Sequence, residues 1–178
     1  KIFATKGRPA DHPLIVHIAD ATQLPQWATD IPDTAYRLAD MFWPGPLTLI
    51  LNKRNDVPDE VTGGQHTVGL RCPDNAITLQ LLREFGGGLA APSANRFGRI
   101  SPTTAEHVRA EFGASAPMIL DGGACTIGIE STIVDLSRNP ARILREGSVR
   151  REQLLPFLPD LIAGTDAHIE HGAERLFA

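Results

Sequence analysis

The sequence predicts an α/β domain. Short apolar, β-branched runs bounded by turn residues mark strands, and apolar spacings of three and four mark amphipathic helices. The two kinds of segment interleave along 178 residues, the pattern of a sheet with flanking helices.

In chain order, Lys1 to Lys6 reads as the end of a helix whose start lies before Lys1. Strands are predicted at Pro13–Ile18, Leu47–Asn52, Thr67–Cys72, Leu89–Pro92, Met118–Leu120, Thr132–Leu136 and Arg142–Leu144. Ala35, Leu38, Ala39 and Phe42 share one helical face, and Ile77, Leu81, Leu82 and Phe85 share another. Ala105, Val108 and Phe112 form a third, with Ser101 as its expected cap, Pro102 at its first position and Gly113 as its stop. Glu152 to Leu158 reads as a weaker last helix containing Pro156. Several strands are continuously apolar, which calls for a sheet covered on at least one face. One domain over 1–158 is expected, incomplete at its N-terminus, with a tail or linker over 159–178.

Composition narrows the function. Hydrophobic residues make up 42% and charged residues 21%, the balance of a soluble globular protein. A formal charge of −4 argues against a nucleic-acid binder that grips the phosphate backbone, which needs a basic face. An anionic ligand must be met by a local cluster of Arg and Lys. Cys72 and Cys125 form no CxxC pair, so neither zinc nor a disulfide framework is signalled, and a cytoplasmic protein with reduced cysteines is expected. No apolar run approaches membrane-spanning length.

Residues suited to anion binding gather at strand ends. Lys6-Gly7-Arg8-Pro9-Ala10-Asp11-His12 precedes the first strand, and His17 stands near that strand's end. Two cations two residues apart suit a phosphate chain, or simply a solvated basic turn. Trp43-Pro44-Gly45-Pro46-Leu47-Thr48 is a rigid turn feeding a strand and reads as structural. Arg71 closes an apolar strand, where an arginine receives a carboxylate or phosphate, or pairs with a neighbouring helix. Ala90 to Thr103 passes from a strand through a small-residue loop that carries Ser93, Asn95 and Ser101. Such loops expose backbone N–H groups to anions. The loop has neither the GxxxxGK[ST] of a P-loop nor the GxSxG of a nucleophile elbow. Gly122 to Asp135 brings a glycine-rich stretch into a strand that begins with hydroxyls, and Arg145 closes another strand.

Taken together and in order, KGRPADHPLIVH, WPGPLTLIL, VGLRCP, APSANRFGRISPTT, STIVD and ILREG resemble the YrdC-like threonylcarbamoyl-AMP synthases over Lys6 to Gly147. The resemblance implies a twisted mixed β-sheet with flanking helices and an open cationic pocket, the YrdC-like or DHBP synthase-like α/β fold. It also implies a reaction in which L-threonine, bicarbonate/CO2 and ATP give threonylcarbamoyl-AMP and pyrophosphate. A downstream tRNA threonylcarbamoyl transferase would take the product, with at most weak contact between this chain and tRNA. Position by position, the resemblance assigns Arg8, His12, Thr67, Ser93, Ser101 and Arg145 to ATP. It assigns His17, Arg71, Ala91 (through its backbone) and Ser131 to threonine. Lys6 falls on a basic pocket residue, and Asn95 belongs to the same motif as Ser93. No catalytic side chain is required: the protein positions the reactants and neutralises charge, Lys6 and Arg8 foremost. Mg²⁺ would arrive with ATP, without a metal cage of protein ligands. Two alternatives remain at this level: the YrdC-like domain of a hydrogenase-maturation carbamoyltransferase, and a non-catalytic RNA-binding module.

Overall fold

The computed structural model describes residues 1–163. Seven strands form one mixed sheet: β1 Ile15–His17, β2 Leu47–Asn52, β3 Thr67–Arg71, β4 Leu89–Ala90, β5 Thr132–Asp135, β6 Arg142–Arg145 and β7 Ile162–Ala163. Their spatial order is β4-β1-β3-β2-β5-β6-β7. β1 runs parallel to β3, β2 to β5 and β6 to β7, while β1–β4, β2–β3 and β5–β6 are antiparallel. Among the described residues there are six α-helices, α1 before the first strand and the others between strands: α1 Ile2–Lys6, α2 Asp33–Phe42, α3 Asp59–Thr62, α4 Ala76–Phe85, α5 Ala105–Phe112 and α6 Arg151–Leu154. Among the described residues no helix is long and apolar enough to cross a membrane.

The core covers one face of the sheet. Val16, Leu47, Leu49, Leu51, Val68, Leu70, Val134 and Ile143 project from the strands into a cluster with Leu38 of α2 and Leu154 of α6. Side chains alternate across a strand, so Ile15, His17, Thr48, Gly69, Arg71, Ser131 and Ile133 belong to the opposite face. β2 is buried along Leu47–Leu51, as its continuous apolar run predicts.

Several expectations need correction. Met118–Leu120 forms no strand, and Met118 is 89% exposed. A short apolar run carries no ladder partner in itself, and none pairs with this one. α4 buries Leu79 and Leu82, while Ile77, Leu81 and Phe85 are exposed. The helix has apolar residues on more than one stripe, so its spacing leaves the buried face open and packing chooses it. The cap of α5 is Thr104, whose hydroxyl accepts from the His107 N–H; Ser101 lies farther upstream. Gly113 does stop this helix. The last helix is only Arg151–Leu154: Leu155 still has α-helical dihedrals and donates to Arg151 O, but Pro156 has no N–H to carry the ladder further. Leu161 packs in the core, and Ile162–Ala163 pair with β6. The folded unit therefore runs past the expected boundary at 158, and the rest of the expected tail lies outside the described residues.

Candidate active site

The mixed strand directions bring chemically useful residues to one rim of the sheet. His17 ends β1 beside Arg71, which ends the parallel strand β3. Next along the rim is the turn before β2, where the Gly45 N–H donates to Cys72 O at 2.9 Å. The Thr132 N–H then donates to Pro46 O at 2.9 Å, which sets Ser131 beside that turn. Arg145 ends β6 opposite Ile133.

A β-bulge aims Arg145. Val134 pairs with Ile143, whereas the next residue of β5, Ile133, pairs with Arg145, so Leu144 is the extra residue. Bulges of this kind re-aim side chains. Here Ile143 enters the core and Arg145 falls on the other face with Ser131. Gly147 follows at a point of close approach: a Cβ there would lie 2.4 Å from Glu130 O, so a side chain would push the β6 exit away from the rim.

These residues border a cleft of about 870 Å³. Its walls include Lys6, Arg8, His17, Arg71, Ala91, Ser93, Asn95, Ser101, Ser131 and Arg145, all singled out from the sequence. His12 and Thr67 do not line it. Thr67 opens β3 at the end away from Arg71 and donates to Gln65 Oε1 at 3.3 Å. His12 lies behind Phe97, their ring centroids 5.1 Å apart in an edge contact. The Arg8 guanidinium stands 5.7 Å from the centroid of the same Phe97 ring and donates to Pro13 O at 3.0 Å.

The small-residue loop is braced from below. Lys6 is only 6% exposed, and its ammonium donates to the carbonyls of Ser93 and Asn95. Asn95 donates to Arg96 O at 2.9 Å and Arg99 O at 2.7 Å. The Phe97 N–H donates to Lys6 O at 2.8 Å. Lys6, a residue of the cleft wall, thus also braces the loop that carries Ser93. The Ala91 N–H donates to Ile15 O at 3.0 Å, which ties this residue of the cleft wall to β1.

The rim arginines are anchored through Nε. Arg71 donates to Gly45 O at 2.9 Å, and Arg145 donates to Ser131 O at 3.0 Å and, through Nη2, to Ser131 Oγ at 3.1 Å. Burial pulls both guanidinium pKa values down, with Asp74 opposing this at Arg71 and Glu130 at Arg145. Arginine stays charged regardless. Burial, then Arg71, pushes His17 down to about 4, so near neutrality it is an uncharged hydrogen-bonding group. Burial, then Arg8, pushes Lys6 down to about 8. A backbone N–H, then the Ser101 hydroxyl, holds the Glu130 carboxyl below its usual range; Ser101 Oγ donates to Glu130 Oε1 at 2.9 Å. Burial pushes the Cys72 thiol up to about 11, away from thiolate chemistry.

Sequence reasoning passed over three contributors. Glu130 lies inside the glycine-rich segment, and its signal was a lone acid beside hydroxyls. Gly45 contributes a carbonyl, which no side-chain pattern reveals. Thr48 is the one hydroxyl within the β2 run, and its segment read as structural.

The Sua5/YciO/YrdC family model, described as telomere recombination, matches residues 1–147. The chain is 48% identical over 154 residues to the threonylcarbamoyl-AMP synthase of Pyrococcus abyssi, covering 86% of this chain and 45% of that protein. It is 46% identical over 155 residues to the threonylcarbamoyl-AMP synthase of Bacillus subtilis, again covering 86% and 45%. The crystal structure of P. abyssi Sua5 complexed with L-threonine superposes with a TM-score of 0.87 at 46% identity, covering 91% of this chain and 48% of that one. The chain thus spans about half the length of these relatives. With the family model covering most of its residues, the chain belongs to the Sua5/YciO/YrdC family.

Proposed function

We propose that this chain is the synthase domain that makes threonylcarbamoyl-AMP and pyrophosphate from L-threonine, bicarbonate/CO2 and ATP, for threonylcarbamoylation of tRNA adenosine. The observation that carries the reading is the convergence of Arg71 and Arg145 on one cleft with His17, Ser131 and the Ser93–Ser101 loop. Two separately anchored guanidinium groups suit a ligand pair with two anionic ends, an amino acid and a nucleotide. The relatives are themselves threonylcarbamoyl-AMP synthases by name, which supports the same reading.

The chemistry asks for placement rather than a protein nucleophile. The threonine amine and bicarbonate combine to a carbamate with loss of water. A carbamate oxygen attacks the α-phosphorus, the bond to the β-phosphate bridging oxygen breaks, and pyrophosphate leaves with that electron pair. Arg71 holds the threonine carboxylate as a fork, with the Ala91 backbone, neutral His17 and Ser131 around the rest of the amino acid. Arg8, Arg145, Ser93 and Ser101 hold the nucleotide. Lys6 and Asn95 keep the loop in shape. Holding both reactants in line can supply on the order of 7–11 kcal/mol of the barrier, and fixed cations offset the charge that develops on the phosphates. The carbamate, once enclosed, is kept from losing CO2.

Mg²⁺ fits as an ion carried on the triphosphate. Asp74 and Glu130 are the carboxylates of the cleft wall, and among the described residues no group of three or more His, Cys, Asp or Glu is placed to cage a metal. Phosphate oxygens and water would hold it, with Glu130 the cleft-wall carboxylate that interacts electrostatically with Arg145. It would supply charge neutralisation.

The test is pyrophosphate release by the full-length protein, omitting threonine and bicarbonate in turn. Release that needs both supports the reading. Release that needs carbamoyl phosphate instead would install the carbamoyltransferase alternative. Tight, salt-resistant tRNA binding without turnover would install the RNA-binding one.

A further inference from the structure

Thr48 is completely buried, yet it sits on the cleft face of β2 directly behind Ser131. The two hydroxyl oxygens are 2.8 Å apart. The same Ser131 oxygen also accepts from Arg145 Nη2 at 3.1 Å.

Proton accounting decides the direction of the Thr48–Ser131 bond. A guanidinium only donates, so Arg145 occupies one acceptor site of Ser131. Among the described residues Ser131 Oγ is the one acceptor in reach of the Thr48 hydroxyl. If Thr48 took the proton of Ser131, its own proton would be buried without an acceptor, which is costly. Thr48 therefore donates, and Ser131 then accepts twice, using both lone pairs. The Ser131 proton points away from both partners, and Ser131 is part of the cleft wall.

We infer that Thr48 is a positioning residue that, together with Arg145, locks the Ser131 hydroxyl as a hydrogen-bond donor into the cleft, aimed at an oxygen of the amino-acid substrate. The inference rests on the proposed function and deepens it. It makes a residue in the middle of an apolar strand responsible for part of the threonine affinity. It also couples the two halves of the site, because Arg145, assigned to ATP, shares Ser131 with Thr48. An amino-acid oxygen thus meets a donor already oriented before binding, which lowers the ordering cost of binding.

The experiment compares Thr48→Val, which keeps the shape and removes the hydroxyl, with Thr48→Ser, which keeps the hydroxyl. Both are made in the full-length protein. L-threonine and Mg-ATP are titrated separately by calorimetry, KM and kcat are measured, and melting temperature is recorded. Thr48→Val is expected to weaken threonine binding by about three- to tenfold, the range of one modest hydrogen bond. It should raise the threonine KM by the same factor, with kcat, ATP binding and melting temperature nearly unchanged. Thr48→Ser should restore threonine binding to within about twofold of the parent. Unchanged threonine affinity in Thr48→Val overturns the inference. So does equal impairment in Thr48→Ser, which would make shape the cause, or a parallel loss of both ligands with a lowered melting temperature, which would make the role structural. If the parent protein itself takes up no L-threonine, the reading of the site falls and the inference falls with it. That result is distinguishable, because in the other cases the parent binds.

Discussion

The Arg71 Nε–H donates to the carbonyl of Gly45 at 2.9 Å, tying the end of β3 to the turn before β2. Among the described residues this is the side chain's one hydrogen bond, so its two terminal nitrogens remain available as a fork. Arg145 is anchored differently, on Ser131. A division of labour follows. Arg71→Ala should weaken threonine binding and spare ATP, and Arg145→Ala should weaken ATP binding more. Each loses a charge-assisted bond of about 1.5–3 kcal/mol, roughly one to two decades in affinity. Arg71→Lys should rescue only in part, since an ammonium cannot reproduce the fork. Separate titrations of the two ligands decide this, with melts to exclude unfolding; a loss of ATP in Arg71→Ala, or a larger loss of threonine than of ATP in Arg145→Ala, would refute it.

Lys6 predicts a stability effect before a binding effect. Lys6→Met strands two loop carbonyls that now receive its ammonium, and such a loss costs about 1–3 kcal/mol. The melting temperature should drop, and ATP affinity should fall only as far as the Ser93–Ser101 loop loosens. A variant that melts like the parent but loses ATP would assign Lys6 the phosphate-facing role instead.

Ser101→Ala tests a role distinct from capping. Thr104 caps α5, so Ser101→Ala should leave helix stability almost unchanged, whereas Thr104→Ala should cost about 1 kcal/mol. The loss in Ser101→Ala should appear in ATP binding, because Ser101 lines the cleft and its hydroxyl fixes Glu130 through a 2.9 Å hydrogen bond. Equal destabilisation by the two variants would contradict the observed cap.

His17 predicts a pH dependence. Its folded-state pKa is lowered to about 4 from 6.5, first by burial and then by Arg71. Between those values the unfolded chain binds the proton and the folded chain does not. Its contribution is therefore fully present above about pH 6.5 and is lost as pH falls towards 4. Plotted against pH, the melting temperature of the parent should decline more steeply through this window than that of His17→Gln. Superimposable profiles would show that the imidazole titrates normally.

Local chemistry made much of this protein legible from its residues. The β2 run Leu47–Asn52 has the bounds expected from its apolar, β-branched composition, because a strand buried on both faces needs no alternation. The α2 face follows from spacing, and Gly113 stops α5 as expected. Ten candidate site residues, quoted from segments scattered over the chain, border one cleft. What residue types could not convey is direction and partnership. Leu144 as a bulge, which turns Arg145 from the core face to the cleft, depends on a register slip between two strands. Lys6 donating to loop carbonyls, Thr67 at the far end of β3 and Thr48 behind Ser131 depend on which backbone passes nearby. Composition and periodicity report how a segment meets water and its own neighbours in sequence. Long-range strand pairing selects which of several equally apolar or equally charged groups share a rim, and that choice exists only once the sheet has closed.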